Sequence, residues 1–164
     1  MSQITLQGNT INTVDTLPEI GSTAIDFTFV DEHLATKSLG DYSNKTIILN
    51  IFPSVDTGTC AASVRKFNQL ASGMTNTVVL CVSKDLPFAH TRFCGAEGIN
   101  NVKSLSDFRS ADFGLNYGLT LVDSPLQGLL ARAIIIIKNG IISYTELVQE
   151  LTQEPDYDKA LASL

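Results

Sequence analysis

The chain has 164 residues, 44% of them hydrophobic and 17% charged, and a formal charge of −6. That length and composition fit one globular domain, residues 1–164, with a core large enough to need no staples, and they exclude a disordered chain. The acidic balance, with no basic run, excludes a surface built to track nucleic-acid phosphates.

The stretch MSQITLQGNTINTV has neither the basic start nor the apolar centre of a signal peptide. The apolar run Ala133–Ile137 falls far short of a membrane span. Both point to a cytoplasmic protein with no membrane partner.

In chain order, Ile4, Leu6, Ile11 and Val14 alternate around Gly8-Asn9, which predicts a small hairpin turning there. A connector and a short strand over Phe27–Val30 follow, then turn-rich chain. Lys45–Phe52 is a β-branched run closed by Pro53 and reads as a buried central strand. Cys60, Val64, Phe67, Ala71 and Met74 then fall on one helical face, with Gly73 near its end. Asp56, Thr57 and Thr59 are each N-cap candidates for that helix.

Asn76–Ser83 predicts a second buried strand with Cys81 in its middle. Asp85 and Pro87 open a short helix expected to end at Gly95. Strand, helix, strand in this order is a βαβ unit with an expected right-handed crossover. Asn101–Leu105 suggests another strand and Ser110–Tyr117 a helical turn. Around Asn139-Gly140 two apolar strands form the strongest hairpin signal. Ala160, Leu161 and Leu164 mark a closing helix from Tyr157. A βαβ unit followed by ββα is the order of an α/β thioredoxin-like fold: a mixed sheet with helices on both faces.

Three cysteines (Cys60, Cys81, Cys94) and two distant histidines (His33, His90) carry no metal-ligand spacing, so no metal site is expected. In a reducing compartment the thiols are buried or working ones, not static disulfides. Cys60 follows the central strand and enters a helix, in Phe52-Pro-Ser-Val-Asp-Thr-Gly-Thr-Cys60. A thiol in a first helical turn meets unpaired amides and the positive dipole end, which favour the thiolate nucleophile. Its apolar face also suits a core thiol, so a working sulfur needs a donor or a cation nearby. Thr57 can supply a hydroxyl, and Pro53 can wall the spot from water. The cation would come from elsewhere in the chain; Arg65 and Arg92 lie near the two cysteines in sequence, with Arg65 nearly opposite Cys60 on the helix. Cys81, mid-strand, reads as a structural thiol.

The pattern Pro53-x-x-x-Thr57-x-x-Cys60 resembles the active-site motif of the peroxiredoxin family. FPSVDTGTCAASVRKFNQLA, TLPEIGSTAIDFTFVD and SKDLPFAHTRFCGAEGI are similar to its thiol peroxidase subgroup, the atypical two-cysteine type, and the likeness spans the chain.

The resemblance implies that Cys60 is the peroxidatic thiol, attacking a hydroperoxide to become a sulfenic acid. It implies that Thr57 hydrogen-bonds thiolate and peroxide, that Arg132 stabilises the thiolate and polarises the O–O bond, and that Pro53 shields the site. Cys94 would be the resolving cysteine, closing an intramolecular Cys60–Cys94 disulfide. No metal, haem or flavin cofactor is implied, because sulfur carries both electrons. The implied partners are hydroperoxides, organic ones preferred, thioredoxin as reductant, and a second copy in a homodimer. Such a disulfide requires Cα atoms within about 7 Å, so the short helix over Leu86–Cys94 and the first turn holding Cys60 are expected to unwind.

Two other functions share the scaffold. A thioredoxin-type disulfide oxidoreductase would carry a CxxC pair, which the chain lacks. A non-catalytic binding module would need no activated thiol at Cys60.

Overall fold

The fold is described from a computed structural model covering residues 1–164. β1 (Gln3–Leu6) and β2 (Asn9–Asn12) form a separate antiparallel hairpin in which Ile4 faces Ile11, both buried. The turn is Gln7-Gly8, not Gly8-Asn9: both have positive φ (51° and 81°), whereas Asn9 already pairs with Leu6. Two consecutive positive φ values are what a two-residue hairpin turn demands.

A seven-stranded mixed sheet runs in the order β4-β3-β7-β6-β5-β8-β9. Its strands are β3 (Thr28–Val30), β4 (Thr36–Ser38), β5 (Thr46–Ile51), β6 (Thr77–Ser83), β7 (Lys103–Ser106), β8 (Ala133–Lys138) and β9 (Ile141–Leu147). β5, β6 and β7 are parallel, and β8 joins β5 antiparallel with Asn50 opposite Ile134. The polar edge strand β4 lies where turn-rich chain was expected. Its residues Thr36, Lys37 and Ser38 offer no apolar alternation, and pairing to β3 alone defines it.

β5 sorts its side chains by parity. Ile47, Leu49 and Ile51 enter one apolar cluster, while Ile48 enters the other. The second cluster lies under α1 (Gly58–Ala71), which contributes Cys60, Val64 and Phe67. The terminal helix α4 (Tyr157–Ala162) adds Ala160 to it. α3 (Asp112–Asn116) covers the opposite face with Phe113, whose ring packs edge-on to Phe29 at 4.8 Å. α2 (Pro87–Glu97) packs along β7. Helices therefore cover both faces, as the element order predicted.

α2 extends one turn beyond the expected stop. Gly95 lies inside it, and the left-handed residue that ends it is Gly98, φ 68°, whose N–H bonds the Cys94 carbonyl. No helix is long and apolar enough to cross a membrane.

The N-terminal hairpin is tied to the far end of the chain. The Glu150 carboxylate accepts from Thr5 Oγ1 (2.7 Å) and from the amides of Gln7 (2.9 Å) and Gly8 (3.1 Å). Thr5 also exchanges backbone bonds with Gln149 and Leu151, each 2.8 Å. Donors converging from Thr5 and Thr152 hold the Glu150 carboxyl well below the usual carboxylate range.

Gly118, just past α3, has φ 69°, and a Cβ there would collide with the backbone carbonyl of Thr16. Gly118→Ala combines left-handed strain with a backbone clash. It is expected to lower unfolding free energy by about 3 kcal/mol in a urea titration, an unusually large loss for one methyl group.

Candidate active site

β5 ends at Ile51, and Phe52 and Pro53, both buried, carry the chain into the loop before α1. Val55 seats in the second cluster. Thr57 occupies the N-cap position of α1 in extended conformation, which selects it from the three candidates. The first internal bond runs from Ala61 N–H to Thr57 C=O, 3.0 Å. The amides of Gly58, Thr59 and Cys60 thus have no intrahelical acceptor and leave the dipole's positive end beside the sulfur.

Cys60 is fully buried. Arg132, the residue before β8, reaches it across 72 positions of sequence: its Nη2 donates to Cys60 Sγ at 3.3 Å. Arg132 is itself only 2% exposed. Its Nε and Nη2 donate to the Leu151 carbonyl at 3.1 and 3.0 Å, while Nη1 has no partner. No carboxylate pairs with Arg132, so the partners of its guanidinium are the Leu151 carbonyl and the Cys60 sulfur.

The rival cations lie elsewhere. Arg65 pairs with Glu97 at 3.5 Å and Arg92 with Asp56 at 2.7 Å, both on the surface. Thr57 is exposed, and its hydroxyl donates to the Ser54 carbonyl at 3.1 Å instead of to the sulfur. Thr59, the neighbouring hydroxyl, donates to the Thr152 carbonyl at 2.9 Å and ties the first turn of α1 to the segment that holds Arg132.

Cys94 is not beside Cys60. It sits on α2, half-buried, with its sulfur 3.3 Å from Ser104 Oγ of β7. It lines a cavity of about 340 Å³ with His90, Thr91, Val102 and Ser104. All three cysteines are free thiols. Burial raises Cys94 above the ordinary thiol range, with Ser104 pulling it back in part. Cys81 is completely enclosed in β6, and burial pushes its thiol up to about 12 although Asn50 Nδ2 donates to it at 3.6 Å.

Asp85 was read from sequence only as a helix opener, and here it organises the loops. Its carboxylate accepts from Ser54 Oγ (2.7 Å), Val55 N–H (2.7 Å) and Ser83 Oγ (2.5 Å). It therefore clamps the loop that precedes Cys60 to the loop that precedes Cys94's helix. The signal for it was the residue type in a βα loop, where a carboxylate can collect amides and hydroxyls.

A buried thiol against an arginine at the N-terminus of α1 in a thioredoxin-like sheet defines the peroxiredoxin class. The Redoxin family model matches residues 19–161, so the chain belongs to the redoxin family. Within it, full-length likeness is to thiol peroxidases, which makes this chain a thiol-dependent peroxidase. It is 52% identical to the thiol peroxidase of Corynebacterium glutamicum, over all of this chain and 99% of that protein. It is 54% identical to that of Mycobacterium tuberculosis strain H37Rv, with the same coverage. Among solved structures, a peroxiredoxin-like protein from Aquifex aeolicus superimposes with a TM-score of 0.93 at 37% identity, covering 99% of this chain and 95% of that one. A thiol peroxidase from Chromobacterium violaceum shares the fold, TM-score 0.90, at 20% identity over 98% and 93% of the two chains.

Alkylation should read these environments directly. With iodoacetamide under native conditions Cys94 is expected to react and Cys81 to stay unmodified until denaturant is added, as peptide mass mapping will show. Early labelling of Cys81 would contradict its enclosure.

Proposed function

We propose that Cys60 is the peroxidatic thiol of this enzyme, Arg132 its activating cation and Cys94 the resolving thiol. The observation that carries this reading is the buried 3.3 Å contact between Arg132 Nη2 and Cys60 Sγ. A guanidinium at that distance favours the anionic sulfur and keeps a donor, Nη1, for a peroxide oxygen.

In the first step the sulfur attacks the terminal oxygen of a hydroperoxide. The O–O bond breaks, the alcohol or water leaves, and Cys60 becomes a sulfenic acid. Charge builds on the departing oxygen, where Arg132 and the Thr57 hydroxyl stabilise it once Thr57 turns from Ser54. Pro53, buried behind the loop, keeps water from the sulfur. In the second step Cys94 attacks the Cys60 sulfenic acid and releases water, forming the disulfide. A thioredoxin-type dithiol then reduces it by exchange.

Cys60 lies inside the cluster under α1 and Cys94 on the β7 side of α2, so the second step requires movement. The last turns of α2 and the first turn of α1 would open, releasing the Arg92–Asp56 and Arg65–Glu97 pairs that join the two segments. Exposed pairs of this kind each contribute no more than about 1 kcal/mol, so they do not forbid opening.

Phe52 and Phe93 beside the thiol cluster favour organic hydroperoxides over hydrogen peroxide. Leu86, Phe88 and Phe108 are large apolar side chains left exposed on segments flanking the site, which supports a homodimer joined near that end. The chain works as one domain, residues 1–164, in the cytoplasm. A thioredoxin-type oxidoreductase is disfavoured because neither Cys60 nor Cys94 has a neighbouring thiol partner.

Peroxide consumption coupled to thioredoxin, thioredoxin reductase and NADPH tests the assignment. Cys60→Ser is expected to abolish turnover, and undiminished turnover would remove Cys60 from the reaction. Cys94→Ser is expected to stop after one equivalent, with Cys60 sulfenic acid captured by dimedone. Arg132→Met is expected to lower kcat/KM by about 100-fold or more. Oxidised wild type is expected to show a Cys60–Cys94 bridge, a free Cys81, and faster amide exchange across residues 87–97.

A further inference from the structure

α2 carries a histidine that the cycle above does not use. His90 precedes Cys94 by four residues, so the two share one helical face, and a helical side chain leans toward the preceding turn. Cys94 therefore leans toward His90, and both line the same 340 Å³ cavity. His90 is only 2% exposed, and its ring meets Phe52 edge-on with centroids 6.4 Å apart. Phe52 belongs to the cluster enclosing Cys60, so the imidazole stands between the two thiols' surroundings.

The hydrogen bonds around Ser83 decide which ring nitrogen holds the proton. Ser83 Oγ donates its one hydrogen to Asp85 Oδ2 at 2.5 Å and accepts from the Asp85 amide at 3.2 Å. Its contact to His90 Nε2, 3.1 Å, must then be a bond that Nε2–H donates. A neutral His90 with its proton on Nε2 has a bare lone pair on Nδ1. That atom is buried and has no partner. An unsatisfied acceptor one turn from a thiol, on a wall of the thiol's own cavity, is a base awaiting a proton.

We propose that His90 is the general base of the resolving step, Nδ1 accepting the Cys94 thiol proton before Cys94 attacks oxidised Cys60. This rests on the reading of Cys94 as the resolving cysteine. The proton moves from Cys94 Sγ to Nδ1 once the thiol swings off Ser104. The thiolate then forms the S–S bond while the Cys60 S–O bond breaks, and the leaving hydroxide takes the proton back from the imidazolium. Cys60 sulfenic acid and Cys94 thiol become disulfide and water, with His90 unchanged.

Two carboxylates offset part of the cost of a transient imidazolium. Ser83 relays it to the Asp85 carboxylate from the β6–α2 loop, and Asp56 faces it from the loop before α1. Asp56 is shared with Arg92 of α2, while Glu32 and Lys103 border the cavity from beyond β3 and from β7. Burial lowers His90 below its ordinary range and the two aspartates draw it back in part, so the ring is neutral at neutral pH with its Nδ1 lone pair free. Cys94, raised by burial, is the thiol that needs such help.

His90→Gln tests this, because a glutamine amide can still donate to Ser83 but has no basic nitrogen. Protein oxidised with one equivalent of peroxide is quenched in acid at intervals, and sulfenic acid and disulfide are measured by mass spectrometry. The defect is expected on disulfide formation alone, slower by about 100-fold at neutral pH. Its rate in the variant is expected to climb roughly tenfold per pH unit as Cys94 ionises unaided, and added imidazole is expected to restore part of it. Wild type is expected to stay level from about pH 7 to 9 and to fall below the His90 titration. If the variant does not fold, that wild-type profile decides: a tenfold rise per unit across the range would overturn the proposal. Equal rates and profiles in the two proteins would overturn it as well, leaving Cys94 as resolving thiol. Absence of any Cys60–Cys94 bridge in wild type would instead remove the reading on which it rests.

Discussion

Arg132 places a permanent positive charge where only 2% of the residue meets solvent, and no carboxylate comes to pair with it. Withdrawing a guanidinium from water costs several kcal/mol unless hydrogen bonds and an opposite charge offset it. The offsets here are one carbonyl, Leu151, and one sulfur, Cys60. Leu151 is fixed in turn by Thr5 of the N-terminal hairpin, and the neighbouring Glu150 carboxylate gathers donors from that hairpin's strand and turn. Thr59 of α1 bonds the Thr152 carbonyl in the same segment. The N-terminal hairpin and the active-site helix thus converge on residues 149–152, whose Leu151 carbonyl holds the guanidinium against the thiol. The small hairpin outside the main sheet is a brace for that contact.

Such bracing matters because catalysis by a preorganised donor depends on its staying put while charge develops. Arg132 makes a fork to one carbonyl, so its plane is set, and the remaining edge faces the sulfur. A lysine could offer charge there but not the rigid planar fork that fixes orientation. In the proposed cycle, bonding Cys60 to Cys94 draws the sulfur away from Arg132 Nη2 and leaves the buried guanidinium to Leu151 alone, which destabilises the closed arrangement. That penalty favours opening of the oxidised enzyme and its reduction by an external dithiol.

What the sequence made legible was local. Lys45–Phe52, the face of Cys60, Val64 and Phe67, and the Asn139-Gly140 hairpin each follow from periodicity within one window, and each appears in the fold. β4 escaped because an edge strand of Thr, Lys and Ser owes its existence to its neighbour β3. The end of α2 moved from Gly95 to Gly98 because a glycine within a helix is tolerated, and only the left-handed one stops it. In the site, Cys60 stood out through its place after a strand. Arg132 could be matched by resemblance, but its contact spans two distant elements and no spacing rule yields it. The separation of Cys94 from Cys60, the clamp of Asp85 and the orphaned nitrogen of His90 are products of tertiary packing alone.

The three thiols show how environment divides one chemistry. Cys81 is enclosed in a central strand, pushed up to about 12, and faces only an amide donor, so it has no cation and no route to peroxide. Cys60 has the arginine and the helix N-terminus. Cys94 has neither, and burial holds its proton on; only the cavity wall it shares with His90 supplies a base. Asp85 connects the last two environments, since one carboxylate both seats the loop before Cys60 and, through Ser83, fixes the tautomer of His90. Opening of the first turn of α1, carried back into the loop before it, would pull Ser54 and Val55 from that carboxylate. In the proposed resolving step the freed charge would turn to Ser83 and the imidazole, strengthening the base as Cys94 loses its proton.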